Sequence, residues 1–181
     1  MHYREGIAKT VSIEFDDWLA IKPSQTHIIE IPETAEYVPG QFYKRELPCI
    51  LEVLKLSDLT KVALIIVDGY VFLDDAGKKW LGGYLFDALG GEVPIVGVAK
   101  RSFHSIDKLV IPIKRGESKN PLFITCQGAD LREMATKVQA MDGDFRIPTL
   151  LKILDMETKR WFFVFRLLAW LQSTWIILCM G

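Results

Sequence analysis

The spacing of apolar residues changes several times along the chain, and each type of spacing predicts a strand or a helix. Residues 7–15, IAKTVSIEF, alternate and are rich in β-branched side chains, as is typical of a strand. Residues 26–31 form a second short run of this kind, which ends at Pro32. A glycine-containing turn at residues 4–6 precedes the first run. We therefore expect a strand entered from a hairpin, followed by an antiparallel partner.

The middle of the chain predicts a helix and then a strand-helix-strand unit. Apolar residues recur at near-helical spacing over about residues 41–56. Residues 62–67 and 94–99 are continuous apolar runs of strand length, which suit strands buried on both faces of a sheet. Residues 81–89 between them predict a helix. Such a βαβ unit places ligands at the carboxyl ends of its strands.

The second half of the chain predicts two strands and then two helices. The predicted strands are residues 109–113 and 122–125. The third helix has Asp130 as its N-cap and runs through about Met141. The fourth helix begins at Pro148 and runs through about Arg160. The resulting order, β-β-α-β-α-β-β-β-α-α, predicts a mixed α/β fold in a single domain.

The C-terminal segment differs from the rest because residues 161–181 are almost entirely apolar. As a helix, roughly 20 residues approach the span of a bilayer. Arg166 in its middle argues against insertion, at a cost of about 2.5–3.5 kcal/mol. Three alternatives stay open: a helix packed in the core or between copies, a non-native end from a shifted reading frame, and a tail anchor. We assign the domain to residues 1–160 and expect membrane contact, if any, only through 161–181.

Charge and cysteine content narrow the function classes. The 22 basic and 23 acidic side chains nearly cancel, so no overall positive field attracts nucleic acid and any such partner must bind at local sites. The three cysteines, widely spaced and without a CxxC pair, argue against a disulfide framework and against a zinc site. A reducing, cytoplasmic compartment is therefore expected.

Two carboxylates are candidates for a metal site. Glu46 lies in an early turn of a predicted helix, and Asp68 lies at the exit of a buried strand. Carboxylates brought together repel each other unless a cation lies between them. Mg²⁺ binds through one or two carboxylates together with substrate phosphate and water. Spacing alone also allows Glu46 to be a solvated helix residue and Asp68 to be a turn former before Gly69.

Three motifs occur in order along the chain: YVPGQFYKRELP at residues 37–48, IIVDG at 65–69 and PIVGVAK at 94–100. Together they resemble the characteristic elements of the endonuclease V family. The resemblance covers roughly residues 1–160 and leaves the apolar tail unmatched. It implies a ribonuclease H-like mixed sheet flanked by helices, with the first strand incomplete.

The resemblance also implies a reaction and its residues. It implies a DNA-repair hydrolase that cleaves a phosphodiester near deoxyinosine or a similar lesion, in DNA or RNA. Glu46 and Asp68 would be ligands of Mg²⁺, with Mn²⁺ as an alternative, and Lys100 a positive group near the scissile phosphate. The residues implied to contact nucleic acid are Tyr37, Val38, Pro39 and Gly40, which would form a wedge beside the lesion, together with Gly69.

Two of these roles have simpler alternatives on the residues alone. Tyr37 could cover the start of a helix, and Lys100 could be a solvated lysine at a strand end. The spacing of the residues does not decide between these structural roles and the functional ones. Both alternatives therefore stay open.

The chain departs from the family pattern in two places. The family's first strand carries an aspartate, but here His2 and Tyr3 match the end of that segment and Met1 falls one position after the aspartate's place. Either the true start lies upstream or the ligand is lost. We favour the first, because half a central strand leaves backbone unpaired. A family histidine is also absent near Ala129, where Asp130 offers an oxygen instead.

These departures bear on catalysis more than on fold. The favoured function is a Mg²⁺-dependent endonuclease whose activity is expected to be weak or lost in the chain as it stands. The alternative is a non-catalytic nucleic-acid-binding descendant of the same fold. A small membrane-associated protein is a third hypothesis, which depends on the tail alone.

Overall fold

The computed structural model describes residues 2–4, 7–32, 43–160 and 176–181, which form eight strands and four helices. The strands are β1 (His2–Arg4), β2 (Ile7–Phe15), β3 (Gln25–Pro32), β4 (Val62–Asp68), β5 (Ile95–Ala99), β6 (Ile111–Ile113), β7 (Leu122–Gln127) and β8 (Ile176–Met180). The helices are α1 (Tyr43–Leu54), α2 (Leu81–Ala88), α3 (Leu131–Ala140) and α4 (Thr149–Lys159), and one 3-10 turn, Leu59–Lys61, precedes β4.

The described strands form one mixed sheet in the order β1-β2-β8-β4-β5-β7-β6, with β3 on the other edge of β2. β2 and β3 are antiparallel, as predicted, and so are β6 and β7. β4 and β5 run parallel and are connected through α2, which confirms the predicted βαβ unit. The expected mixed α/β sheet with flanking helices is therefore confirmed.

Helices cover both faces of the sheet, and this explains the uninterrupted apolar runs. On one face, Ile65 and Val67 of β4 belong to a hydrophobic cluster with residues of α1 and α2. On the other face, Leu64 and Ile66 belong to a cluster with residues of α3 and α4. Alternate residues from Leu64 to Val67 thus enter opposite cores, so none of these four positions favours a polar side chain.

The described part of the C-terminal tail is a strand in the middle of the sheet. β8 pairs in parallel with β2 and antiparallel with β4. A helix is therefore the wrong expectation for residues 176–180, whereas 161–175 lie outside the described residues. The sequence did not reveal β8, because a run of five apolar residues is too short for its spacing to distinguish a buried strand from a buried helix. Among the described residues, no helix has the length and apolar character to cross a membrane.

The N-terminal strand, β1, is short, and both β1 and β8 pair with β2. β1 pairs antiparallel with the start of β2, from Ile7 to Lys9, as the predicted hairpin requires. β8 pairs with the second half of β2, from Ser12 to Phe15. β3 occupies the opposite edge of β2 over nearly its whole length. β1 and β8 therefore lie end to end along one edge of β2.

Leu178, in the middle of β8, tests whether this strand forms part of the core. Its side chain is fully buried in the hydrophobic cluster that β8 shares with α1 and α2. We expect Leu178→Ala to lower the free energy of unfolding by about 2–5 kcal/mol, because it removes buried methyl groups and leaves a cavity.

The measurement is urea denaturation followed by circular dichroism. Leu19→Ala is the matched control, because Leu19 is 61% exposed, and it should change stability by less than about 0.5 kcal/mol. Equal effects of the two variants would show that β8 does not belong to the core.

Candidate metal and nucleic-acid site

Asp68 and Lys100 meet at the carboxyl ends of the parallel strands β4 and β5. The Lys100 Nζ donates to Asp68 Oδ2 over 3.1 Å. The Asp68 side chain is 16% exposed and that of Lys100 is 39% exposed. Burial raises the pKa of the Asp68 carboxyl, and the positive charge of Lys100 opposes this shift. A buried carboxylate of this kind is stabilised by any cation that reaches it.

The alternation of side chains places Asp68 and Lys100 on the same face. Leu64 and Ile66 of β4 and Val98 of β5 point towards α3 and α4. Asp68 lies two residues after Ile66, and Lys100 lies two residues after Val98. Their side chains therefore point to the same face as those residues. A cavity of about 680 Å³ opens on this face, lined by Lys100, Glu117, Ser118, Asp144, Phe145, Arg146, Ile147, Leu151, Lys152 and Asp155.

Arg146 anchors the backbone at Lys100, a role that the sequence did not reveal. Its guanidinium donates to the carbonyl oxygen of Lys100 and, over 2.8 Å, to that of Pro121. The loop before α4 is thereby tied to the end of β5. Since a single arginine in a loop carries no recognisable pattern, only the tertiary structure identifies this contact.

Gly69 lets the chain turn sharply after Asp68. Its φ of +127° is a conformation that side-chain-bearing residues rarely adopt. Its N–H donates to the carbonyl of Val98 over 3.1 Å, which holds the turn against β5. This geometry explains the glycine by backbone conformation alone. Its expected contact with nucleic acid stays a prediction.

Gly97 in β5 makes room for that turn. A Cβ added there would lie 2.5 Å from Thr125 Oγ1 and 2.6 Å from the carbonyl oxygen of Gly69. The same Thr125 hydroxyl accepts from the Val71 N–H over 2.9 Å. The segment after Asp68 is therefore packed directly on β5 and β7. A glycine inside an apolar strand is the one signal in the sequence that points to such a close approach.

Glu46 lies in α1 and is completely buried. The alternative of a solvated helix residue is therefore wrong. α1 packs against β2 and α2, on the face opposite the one that Asp68 and Lys100 share. Because a buried carboxylate is costly unless it is hydrogen-bonded or paired, a fully enclosed glutamate needs compensation from its surroundings.

The start of α1 lies at the same end of the sheet as the turn after Asp68. Tyr43, one turn before Glu46, stacks on Tyr84 with ring centroids 3.9 Å apart. A cavity of about 380 Å³ joins this pair to the segment after Gly69 and is lined by Tyr43, Tyr70, Leu73, Lys78, Lys79, Trp80, Tyr84 and Phe103. The start of α1 and the segment after Gly69 thus line one cavity at this end of the sheet.

Glu46 and Asp68 offer the type of donor that a hard divalent cation binds. Carboxylate oxygens are the ligands that Mg²⁺ prefers, and it often uses only one or two of them. Within the described ranges, no cluster of three or more His, Cys, Asp or Glu side chains is assembled to hold a metal. Asp130 is engaged elsewhere, since its carboxylate caps α3 by accepting from the Glu133 N–H over 2.8 Å, as the sequence predicted for an N-cap. The predicted wedge, residues 37–40, lies outside the described residues.

Comparison with known proteins points to one family. No family model matches the chain. Endonuclease V of Xylella fastidiosa is 35% identical to it over 82 residues, which is 45% of this chain and 32% of the relative. The matched region thus spans about a third of the length of that curated relative. Endonuclease V of Xanthomonas axonopodis pv. citri is 33% identical over 85 residues, 47% of this chain and 34% of the relative.

The folds agree over most of the chain. Ciona intestinalis endonuclease V, in complex with a 24mer DNA containing an inosine followed by a ribo-adenosine, superposes with a TM-score of 0.62 at 12% identity, covering 85% of each chain. The chain has the endonuclease V fold. Human endonuclease V gives a TM-score of 0.58 at 19% identity, covering 86% of this chain and 84% of the human one. The expected resemblance to endonuclease V and its ribonuclease H-like sheet is confirmed.

Gly97→Ala tests the close approach of β5 to the turn after Asp68. The added methyl must displace the Gly69 carbonyl or the Thr125 hydroxyl, so we expect a loss of about 1–3 kcal/mol in stability. Amide hydrogen exchange at Val71 should accelerate, because its hydrogen bond to Thr125 is disturbed.

The control is Gly181→Ala, where the nearest atom to an added Cβ lies 3.5 Å away, an ordinary contact. The control should leave both stability and the Val71 amide unchanged. Wild-type stability in Gly97→Ala would contradict the packing described here.

Proposed function

We propose that this chain is a hydrolase of the endonuclease V type, a Mg²⁺-dependent endonuclease that cleaves a phosphodiester near deoxyinosine or a similar lesion. The observation that carries the proposal is the Asp68–Lys100 pair at the ends of adjacent parallel strands. The fold shared with endonuclease V supports it, as does the inosine-containing DNA bound to the Ciona protein. The proposed catalytic domain, residues 1–160, is completed in the sheet by β8, and DNA repair is the proposed role.

In this proposal Glu46 and Asp68 hold the metal ion. When bound, the ion would activate water for attack on phosphorus and neutralise the charge that develops on the phosphate oxygens. The partly exposed Lys100 is near enough to Asp68 to hold that carboxylate in place before substrate binds. It would then contact the phosphate, since its ammonium group can donate to both partners in turn.

Residues on either side of the metal ligands would position the nucleic acid. Tyr37, Val38, Pro39 and Gly40 are proposed as a wedge beside the lesion, and Gly69 as a turn that lets the backbone approach a base. The aromatic cavity at Tyr43, Tyr70 and their neighbours has the stacking surfaces that an unstacked base requires. Mn²⁺ would substitute for Mg²⁺ because both favour oxygen ligands.

A non-catalytic nucleic-acid-binding protein is the second candidate. Two carboxylates, rather than a cluster of three metal-binding side chains, are what the described residues offer, and this favours the alternative. The two candidates differ in one respect: a binding protein would recognise inosine-bearing nucleic acid without cutting it. A nicking assay therefore separates them.

The nicking assay uses an inosine-bearing duplex, labelled at one end, with Mg²⁺. It compares the chain with a form extended upstream so that an aspartate precedes Met1. We expect Mg²⁺-dependent cutting at least in the extended form. Glu46→Gln or Asp68→Asn in that form should reduce the rate by about 100-fold or more, because several kcal/mol of charge stabilisation depends on the ion.

Matched carboxylates elsewhere supply the controls for this assay. Glu52→Gln changes an exposed residue of α1, and Asp58→Asn an exposed residue before β4. Both should keep the parent's rate. If the extended form does not cut with Mg²⁺, or if Glu46→Gln cuts as fast as Glu52→Gln, the nuclease proposal is wrong.

Lys100→Met tests the proposed phosphate contact through binding rather than cutting. Affinity for the inosine-bearing duplex should fall, and the slope of log K against log salt concentration should become shallower by about 0.9, the value for one lost phosphate contact. Fluorescence anisotropy in Ca²⁺, without cleavage, measures both quantities.

Lys55→Met, which removes an exposed lysine of the loop after α1, is the control and should leave the slope unchanged. If Lys100→Met keeps the parent's slope, the ammonium group does not contact phosphate. If Lys100→Met lowers the affinity but leaves the salt slope unchanged, the lysine acts through local structure rather than through a phosphate contact.

A further inference from the structure

Two loop segments supply walls of the cavity of about 380 Å³ beside α1, which we call the aromatic cavity. Residues 69–80, which follow β4, contribute most of the lining side chains, among them Leu73 and Trp80. Residues 100–110, which follow β5, contribute Phe103. A contact that joins these two segments therefore helps to set the width of the cavity.

Residues 72–79 form a small hairpin within the first segment. Its two arms are joined by an isolated antiparallel bridge and by the Leu73 N–H, which donates to the carbonyl oxygen of Lys78 over 2.8 Å. The Asp74 carboxylate closes the turn by accepting from the Lys78 N–H over 2.8 Å. Asp75 follows at the tip. The hairpin is therefore organised by its own hydrogen bonds and does not need Asp75 for its shape.

The Asp75 carboxylate joins the tip of this hairpin to the second segment. Its Oδ1 accepts from three successive backbone N–H groups, those of Asp107, Lys108 and Leu109, over 3.0, 2.8 and 3.3 Å. Successive N–H groups of this kind form a concavity that binds anions. The bond from the Asp107 N–H, together with the other two, holds the pKa of Asp75 below its usual range, because each favours the charged form.

Apolar packing joins other parts of the two segments. Tyr70 and Ile106 are buried in one small hydrophobic cluster, and the Tyr70 hydroxyl donates to the carbonyl oxygen of Arg101 over 2.7 Å. Asp75 and Ala76, at the tip of the hairpin, are exposed and lie outside this cluster. The tip is therefore held by the carboxylate rather than by apolar packing.

We propose that Asp75 is a latch, which fastens the tip of the 72–79 hairpin to residues 107–109 and so holds two walls of the aromatic cavity at a fixed spacing. With the latch closed, the cavity presents its aromatic side chains at a set separation to a flat aromatic ligand. With the latch open, the hairpin moves away from Phe103 and the cavity widens. Asp75 is thus a positioning residue. That the ligand is an unstacked base rests on the proposed function, whereas the latch itself does not.

NMR-detected hydrogen exchange on the full chain tests the latch without nucleic acid. In Asp75→Ala the amides of residues 107–109 should exchange about tenfold faster or more, because a charged acceptor is lost. The Val71 amide, at the base of the first segment, should keep its rate. Asp17→Ala is the matched control, since Asp17 is exposed and likewise accepts a backbone N–H, from Leu19 over 2.9 Å. It should change none of these rates.

The charge of Asp75 gives the latch a spectroscopic signature. In the parent chain the amide resonances of residues 107–109 should follow the carboxyl as the pH falls, with a midpoint below the usual range of an aspartate. The latch is complete above that range and is lost as the pH falls through the lowered pKa. Asp75→Asn keeps an oxygen acceptor but has no charge to lose, so this step should disappear. The neighbouring charged side chains, Asp74, Asp107 and Lys108, are the same in both proteins and cancel in the comparison.

The indole N–H resonance of Trp80 reports on the wall of the cavity. It should shift in Asp75→Ala and stay in place in Asp17→Ala. Unchanged exchange at residues 107–109 in Asp75→Ala would overturn the proposal, and so would equal acceleration at Val71, which would mean general unfolding. An unmoved Trp80 resonance would overturn it as well, because the latch would then not reach the cavity.

Binding of nucleic acid tests the consequence for an unstacked base. Fluorescence anisotropy in Ca²⁺ compares an inosine-bearing duplex with the same duplex without inosine. Asp75→Ala should weaken binding of the inosine-bearing duplex about tenfold, because the cavity is no longer preorganised, and leave binding of the other unchanged. Parent-like affinity of this variant for both duplexes would contradict a role of the latch in base binding. A parent chain that binds both duplexes equally would instead count against the proposed function, and the exchange and resonance data would still decide on the latch.

Discussion

Backbone pairing in the middle of the sheet is the constraint on which the rest of the structure depends. β2 and β4 face each other across one strand width, and β8 supplies the hydrogen bonds that both require. β4 in turn positions Asp68, and its parallel partner β5 positions Lys100. The candidate site is therefore built at the end of strands whose alignment depends on the pairing of β8 with β2 and β4.

Elements defined by their own periodicity could be predicted from the sequence. The alternation in β2 gave its bounds, Ile7–Phe15, and the continuous apolar runs identified β4 and β5, because helices cover both of their faces. β8 could not be predicted in the same way. Its five apolar residues would suit a buried helix equally well, and its partners β2 and β4 are more than a hundred residues away in the chain.

The candidate site, too, could be predicted from the sequence only in part. The proximity of Asp68 and Lys100 could be expected, because the carboxyl ends of adjacent parallel strands lie side by side. The burial of Glu46 could not, since it results from packing of α1 on β2 and α2. The contact of Arg146 with the Lys100 carbonyl was equally hidden, because it joins a loop to a strand end far away in the sequence.

The net charge of the proposed site bears on how strongly the end of β4 would bind a metal ion. In the proposed metal site, two carboxylates, Glu46 and Asp68, and one ammonium group, Lys100, would leave a single negative charge when all are ionised. Such a site attracts a divalent cation only weakly, because Lys100 already neutralises part of the charge on Asp68. An aspartate in the position before Met1 would add a second negative charge, which one divalent ion balances.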